Sequence, residues 1–267
     1  MSSDIKVPTP YPEVNALLRE LLAGIRAILG DGLVGMYLDG SLANGGFDAD
    51  SDIDFVAVCD AEIQGDRFAA LQAMHDRIAA TDSVWATQLE GSYLSARALR
   101  RFDPANCLHP NIERGMGERL KMIEHGEEWD VHRYILRKSG ITLAGPAAQT
   151  LIDPVSPDQL RRGMHAALSG WATGLLKNPA RIGSQGYQSY IVLSQCRILY
   201  TLANGDIVSK QDAARWAQSA LHPRWSALIE RAPAGRRNPA PPSSPAEVAE
   251  TLEMLRYTLE RSREYER

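Results

Sequence analysis

Apolar residues recur through 13–29 at Val14, Leu17, Leu18, Leu21, Leu22, Ile25, Ile28 and Leu29. This is the three-and-four spacing of one helical face, and Gly30 and Gly32 predict where the helix stops. The pattern then shortens. Leu33-Val34-Gly35-Met36-Tyr37-Leu38, and the run from Ile53 through Phe55-Val56-Ala57-Val58, are compact, β-branched and bounded by turn residues, which predicts buried strands. A helix over 66–80, a strand over 84–93, a short helix after Ser95, a loop over 104–111, a strand near 120–123 and a helix over 131–138 are expected next. Alternation ends near Pro146. Helical patterns then cover 156–176, 187–202, 211–221, 223–232 and 245–266, with Ser156 and Ser209 as N-caps. Residues 232–244, rich in proline and arginine, read as a flexible loop. The expected organisation is an α/β domain over 1–150 and an all-α helical-bundle domain over 151–267, without internal repeats.

Chemistry enters between the first two strands. Gly40-Ser41 follows the first, and Ser51-Asp52-Ile53-Asp54 opens the second. Side chains two apart on a strand point the same way, so Asp52 and Asp54 share an edge while Ile53 faces the opposite side. Mg²⁺ is a hard cation held by one or two carboxylates together with substrate phosphates. Gly40 and Ser41 offer backbone N–H groups and a hydroxyl to phosphate oxygens, and Ser51 adds a second hydroxyl. Either element alone is an ordinary turn or strand cap. In this order they describe a site for a metal-bound nucleoside triphosphate.

Composition narrows the setting. The chain has 267 residues, 44% of them hydrophobic and 23% charged, as in ordinary globular proteins with room for two modest cores. No apolar stretch is long enough to cross a bilayer, and Met1-Ser2-Ser3-Asp4-Ile5-Lys6 lacks the pattern of a secretory leader. The three cysteines, Cys59, Cys107 and Cys196, are scattered, which fits a reducing cytoplasm. The six histidines show no zinc-ligand spacing. A net charge of −4 and a pI near 5.9 argue against a nucleic-acid partner and suit a small cationic substrate.

Gly40-Ser41 with Ser51-Asp52-Ile53-Asp54 resembles the signature of polymerase-β-like nucleotidyltransferases. Gly140 to Pro146, Leu151-Ile152-Asp153-Pro154-Val155, Val192 to Tyr200 and Gly205 to Ala214 are similar to the aminoglycoside adenylyltransferases that modify streptomycin and spectinomycin. The resemblance spans nearly the whole chain. It implies a nucleotidyltransferase domain built on a mixed sheet flanked by helices, closed by the helical domain. It also implies transfer of AMP from ATP, with Mg²⁺, to a hydroxyl of a cationic antibiotic by a monomeric enzyme. Its third carboxylate comes from a neighbouring strand, and Glu90 is the candidate, both as metal ligand and as the base facing the acceptor.

The helical half is expected to contribute Arg197, on an otherwise apolar helix, and Lys210, at the start of the next, to the triphosphate across a cleft between the domains. An internal ion pair is the alternative for Arg197 and a solvated position that for Lys210. The resemblance places an acidic group at the acceptor near Glu128 or Asp130, of which Asp130 also reads as a cap for the helix over 131–138. Tyr187, after Gly186, stands where streptomycin-modifying members carry an acid. Trp129, Trp171, Trp216, His132 and His165 read first as core positions, with lining of the cleft as the alternative. Rival functions are adenylylation of another small alcohol, adenylylation of a protein hydroxyl, and non-catalytic nucleotide binding.

Overall fold

A computed structural model describes residues 8–48, 51–114 and 119–266; the leader reading of residues 1–6 lies outside them. Two compact units follow one another, the first ending at Pro154 and the second beginning at Val155. Among the described residues no helix is long and apolar enough to cross a membrane.

The first unit opens with helix α1 (Pro12–Leu29), which has proline in its first turn and ends where Gly30 takes a φ of +55°. Strand β1 (Leu33–Leu38), the four-residue helix α2 (Gly40–Ala43), β2 (Ile53–Cys59), α3 (Gly65–Ala79), β3 (Leu89–Ser95), α4 (Ala96–Arg100), β4 (Leu108–Ile112), β5 (Lys121–Glu124), α5 (Trp129–Ser139) and β6 (Ile141–Ala144) complete it. The strands form one mixed sheet in the order β5-β4-β3-β2-β1-β6. Only β2 and β3 run parallel, joined through α3, and their register sets Asp54 opposite Glu90.

Strand alternation sorts the residues onto two cores. Met36, Leu38, Ile53, Phe55, Ala57 and Tyr93 face α1 and α3. Tyr37, Val56, Val58 and Leu94 face Ala98 and Leu99 of α4 and Trp129 and Leu136 of α5. Asp54, two before Val56, and Glu90, four before Leu94, therefore open toward the α5 side. The fully buried α1 residues Val14, Leu21 and Ile25 stabilise their face by roughly 1.5–3 kcal/mol each through removal from water.

Four expectations need correction. The strand over 84–93 starts only at Leu89, because Ala86 N donates to Ser83 O and Gln88 N to Trp85 O in successive turns. The loop over 104–111 contains β4, whose Pro110 is opposite Met122 of β5 while the strand pairs with β3 only at Asn111 and Ile112. Proline inside a strand disguises it as a loop, and it is tolerated here because Pro110 lies where β4 is not paired with β3. The helix over 131–138 begins two residues earlier, so Asp130 lies inside it rather than at its cap. The flexible loop over 232–244 is shorter, since helix α9 (Ser226–Arg237) continues through Pro233.

The second unit is helical: α6 (Pro157–Lys177), α7 (Gln185–Asn204), α8 (Lys210–Ala220), α9 and α10 (Pro245–Ser262). Ser156, Ser184, Ser209 and Ser244 cap four of these, with reciprocal capping boxes at Ser156/Gln159 and Ser244/Glu247. Val192, Leu193 and Cys196 of α7 share a core with Ala213, Trp225, Leu228 and Met254. The continuation of α9 past Pro233 brings Gly235 against α7, where an added Cβ would lie 2.3 Å from Ser189 Oγ.

Candidate active site

The register of β2 and β3 assembles the site from residues far apart in sequence. Asp54 and Glu90 are paired across the two strands, Asp52 precedes β2, and one carboxylate oxygen from each lies within 4.8 Å of the others. Beside them the end of β1 turns sharply. Gly40 has a φ of +56°, and a Cβ on it would sit 1.7 Å from Asp54 Oδ2. A side chain is excluded there both by the left-handed backbone and by the carboxylate itself. The expected turn at Gly40-Ser41 is the short helix α2, capped by Asp39, whose Oδ1 accepts from Gly40 N at 2.6 Å. Ser41 Oγ is buried with no hydrogen-bond partner among the described residues, a cost of about 1–3 kcal/mol that a phosphate oxygen would relieve. Ser51 is engaged locally instead: its hydroxyl donates to Asp48 Oδ1 and accepts from Asp48 N, each at 3.0 Å.

Burial and mutual repulsion disfavour charge in this cluster. Burial, then Asp52, Asp39 and Glu90, hold the Asp54 carboxyl well above its ordinary range, with His132 opposing them. Burial, then Asp52 and Glu113, raise Glu90 to about 7, while His132 and the Arg114 backbone amide pull it down. Hard oxygen donors that repel one another at this distance suit a divalent cation, and Gly40 leaves the space beside them clear.

Two residues that the sequence reading did not place here, Asp39 and His132, complete the arrangement. His132 Nδ1 donates to Asp39 Oδ2 at 2.8 Å. His132 is not the core position expected of it, since its side chain is 48% exposed; desolvation on its Asp39 side works against charge, but this hydrogen bond and the fields of Asp39, Asp54 and Glu90 outweigh it and raise its pKa. Tyr37 and Asp39 alternate onto the same face, so the sequence carried a signal for Asp39. Nothing in it tied the distant His132 to that face.

Trp129 is core, as expected, yet it also packs on His132 with ring centroids 4.8 Å apart and on His109 and His125 at 5.3 and 5.4 Å. The buried bonds beneath it have a fixed direction. Arg133 Nη2 can only donate, so it does so to His125 Nε2 at 3.2 Å. His125 Nδ1 then donates to His109 Nδ1 at 2.8 Å, and His109 Nε2 to Ser92 Oγ at 3.1 Å. Burial keeps both rings neutral, lowering His109 to about 4 and His125 to about 3.

Asp130 is committed to this region. It is 6% exposed and accepts from Arg133 Nη1 at 3.0 Å, while the same guanidinium donates to Leu99 O and Ala98 O. Glu128 is half-buried, and its Oε1 accepts from Gly126 N at 2.6 Å.

Within the helical unit, Tyr187 and Tyr190 stack nearly parallel, 6.0 Å apart with 6° between their planes. Lys210 Nζ sits 4.0 Å from the Tyr190 ring centroid, and Trp171 meets Tyr190 edge-on at 6.2 Å. Arg197 is half-buried on α7, without an ion pair among the described residues. Trp216 packs on Tyr200, and His165 Nδ1 pairs with Ser262 Oγ at 2.9 Å.

A mixed sheet with Gly-Ser after one strand, Asp-x-Asp opening the next and a third carboxylate in register beside it is the plan of a nucleotidyltransferase. Residues 150–261 match the family model described as "Aminoglycoside adenylyltransferase, C-terminal domain". Spectinomycin 9-adenylyltransferase of Staphylococcus aureus is 25% identical over 220 residues, covering 80% of this chain and 81% of that protein. The aminoglycoside (3'') (9) adenylyltransferase of Escherichia coli is 25% identical over 236 residues, covering 81% and 82%. The crystal structure of spectinomycin adenyltransferase AAD(9) from Enterococcus faecialis with ATP and spectinomycin aligns with a TM-score of 0.70 at 14% identity, over 93% of this chain and 98% of that one. The second unit thus matches the aminoglycoside adenylyltransferase family model, and over most of its length the chain is similar, at 25% identity, to adenylyltransferases of that kind.

Proposed function

We infer that the protein transfers AMP from ATP to a hydroxyl of an aminocyclitol or aminoglycoside of the spectinomycin or streptomycin type and so confers resistance. The observation that carries this is the convergence of Asp52, Asp54 and Glu90 in a chain whose relatives are named for that reaction. A divalent cation, held by these three carboxylates, would neutralise charge gathering on the phosphates. The acceptor oxygen attacks the α-phosphate, the P–O bond to pyrophosphate breaks, and the acceptor proton passes to Glu90. Burial and Asp52 raise Glu90 to about 7 in the metal-free site, and the cation would favour its ionised form, the one able to accept a proton. Ser41 Oγ, lacking a partner among the described residues, takes a phosphate oxygen. Ser51 acts by ordering the loop at Asp48. Arg197 and Lys210 steady the triphosphate and the departing pyrophosphate. With Asp130 occupied by Arg133, Glu128 takes the cationic group of the acceptor. Tyr187, where an acid would serve streptomycin, favours spectinomycin.

Pyrophosphate release from MgATP with spectinomycin, and with streptomycin in parallel, tests the reading. Release with spectinomycin is the expected result. No release with either drug, beside a working control enzyme, overturns it, and release with other small alcohols or label on protein bands would redirect it.

A further inference from the structure

The reaction assigned above uses the three carboxylates but not the pair behind them. Asp39 is 2% exposed, and both its oxygens are occupied. Oδ1 accepts from Gly40 N and Oδ2 from His132 Nδ1, while its backbone amide donates to Asp54 O at 3.1 Å. Gly40, held by that first bond, presses so closely on Asp54 that even a methyl group is excluded. One side of the His132 ring packs at a 35° tilt on Trp129, which rests on the His109–His125 pair. These contacts run without a gap from α5 to the carboxylate of Asp54.

We propose that His132, acting through Asp39, is a positioning residue: it holds the corner at Asp39 and Gly40 against Asp54 and so fixes the direction in which Asp54 presents its oxygens. The proposal rests on the adenylyl-transfer reading, because only there does the direction of Asp54 have a consequence. What the corner requires of His132 is one correctly placed N–H donor. Asparagine carries its amide nitrogen close to where histidine carries Nδ1, without the charge, which separates geometry from electrostatics.

The full-length protein and its variants His132→Ala, His132→Asn, Asp39→Ala and the double alanine variant are compared by two readouts. One is amide hydrogen exchange at Gly40, which needs no ligand. The other is Mn²⁺ affinity in the presence of a non-hydrolysable ATP analogue, followed by electron paramagnetic resonance. Removing a partner that orients a metal ligand weakens metal binding by about 10–100-fold, so His132→Ala is expected to lose at least about 10-fold in Mn²⁺ affinity and to speed Gly40 exchange. His132→Asn should return both to within about threefold of the parent, and Asp39→Ala should match the double variant, as expected for two groups acting through one bond. Thermal melts show whether each variant is folded. Unchanged Gly40 exchange in His132→Ala, an Asn variant as weak as the Ala variant, or losses that multiply in the double variant overturns the proposal. If the parent fails to bind Mn²⁺ with the nucleotide analogue, the adenylyl-transfer reading has failed and this proposal falls with it. That outcome is visible before any variant is compared.

Discussion

Gly40 and Glu90 are the residues on which single-atom changes have the clearest consequences. Gly40→Ala places a Cβ 1.7 Å from Asp54 Oδ2 on a backbone with φ of +56°. Left-handed strain alone costs roughly 1–2 kcal/mol, and the displaced carboxylate should abolish MgATP binding, as isothermal titration would show. Glu90→Gln keeps the shape of the site and removes the proton acceptor. Pyrophosphate release is expected to fall by about 10²–10⁴-fold, with MgATP binding weakened far less because Asp52 and Asp54 remain to hold the cation. The raised pKa of Glu90 also has a signature in stability. An unfolded Glu loses its proton near pH 4.3, whereas the folded one holds it to about 7, so between those values the native state binds more protons and stability falls as pH rises. In metal-free protein, the stability of Glu90→Gln relative to the parent, measured by urea unfolding, should increase steadily from pH 5 to 7. Of these residues Asp52, Asp54 and Gly40 were legible in the sequence from their spacing. Glu90 was legible through family likeness, and His132 was not legible at all, because four strands separate it in chain order from its partner Asp39.

Helix α5 concentrates several duties in eleven residues. Its Trp129 and Leu136 close one core, its His132 reaches Asp39, and its Arg133 bridges Asp130 to the carbonyls that end α4. Removing one member of a buried ion pair strands the other, at about 3–5 kcal/mol. Arg133→Met should therefore cost that much in denaturant unfolding. Asp130→Asn should lower stability with the acceptor KM unchanged, whereas Glu128→Gln should raise the acceptor KM without loss of stability. Most elements were readable from periodicity and caps, since Ser156 and Ser209 announce α6 and α8. Those misread share a cause: Pro110 within β4 and Pro233 within α9 carry a breaker's local signal that tertiary contacts override.

For the whole chain, acid is the revealing stress. His75, His109 and His125 are buried and neutral, lowered by burial to about 4, about 4 and about 3. Unfolded histidines take up protons near pH 6.5, so below that pH the unfolded chain binds more protons and stability drops as pH falls. All three residues belong to the first unit. Its signals in amide hydrogen exchange should lose protection between pH 6.5 and 5 before those of the helical unit. The parallel pairing of Asp54 with Glu90 bears on evolution as well as chemistry. Because successive strand residues face opposite sides, the active centre depends on whether the number of residues within each strand is odd or even, and hardly on the length of what joins them. Insertions between α3 and β3 are thus free to accumulate, while deletion of one residue of β3 between Glu90 and Leu94 would turn that carboxylate to the wrong side of the sheet and dismantle the site.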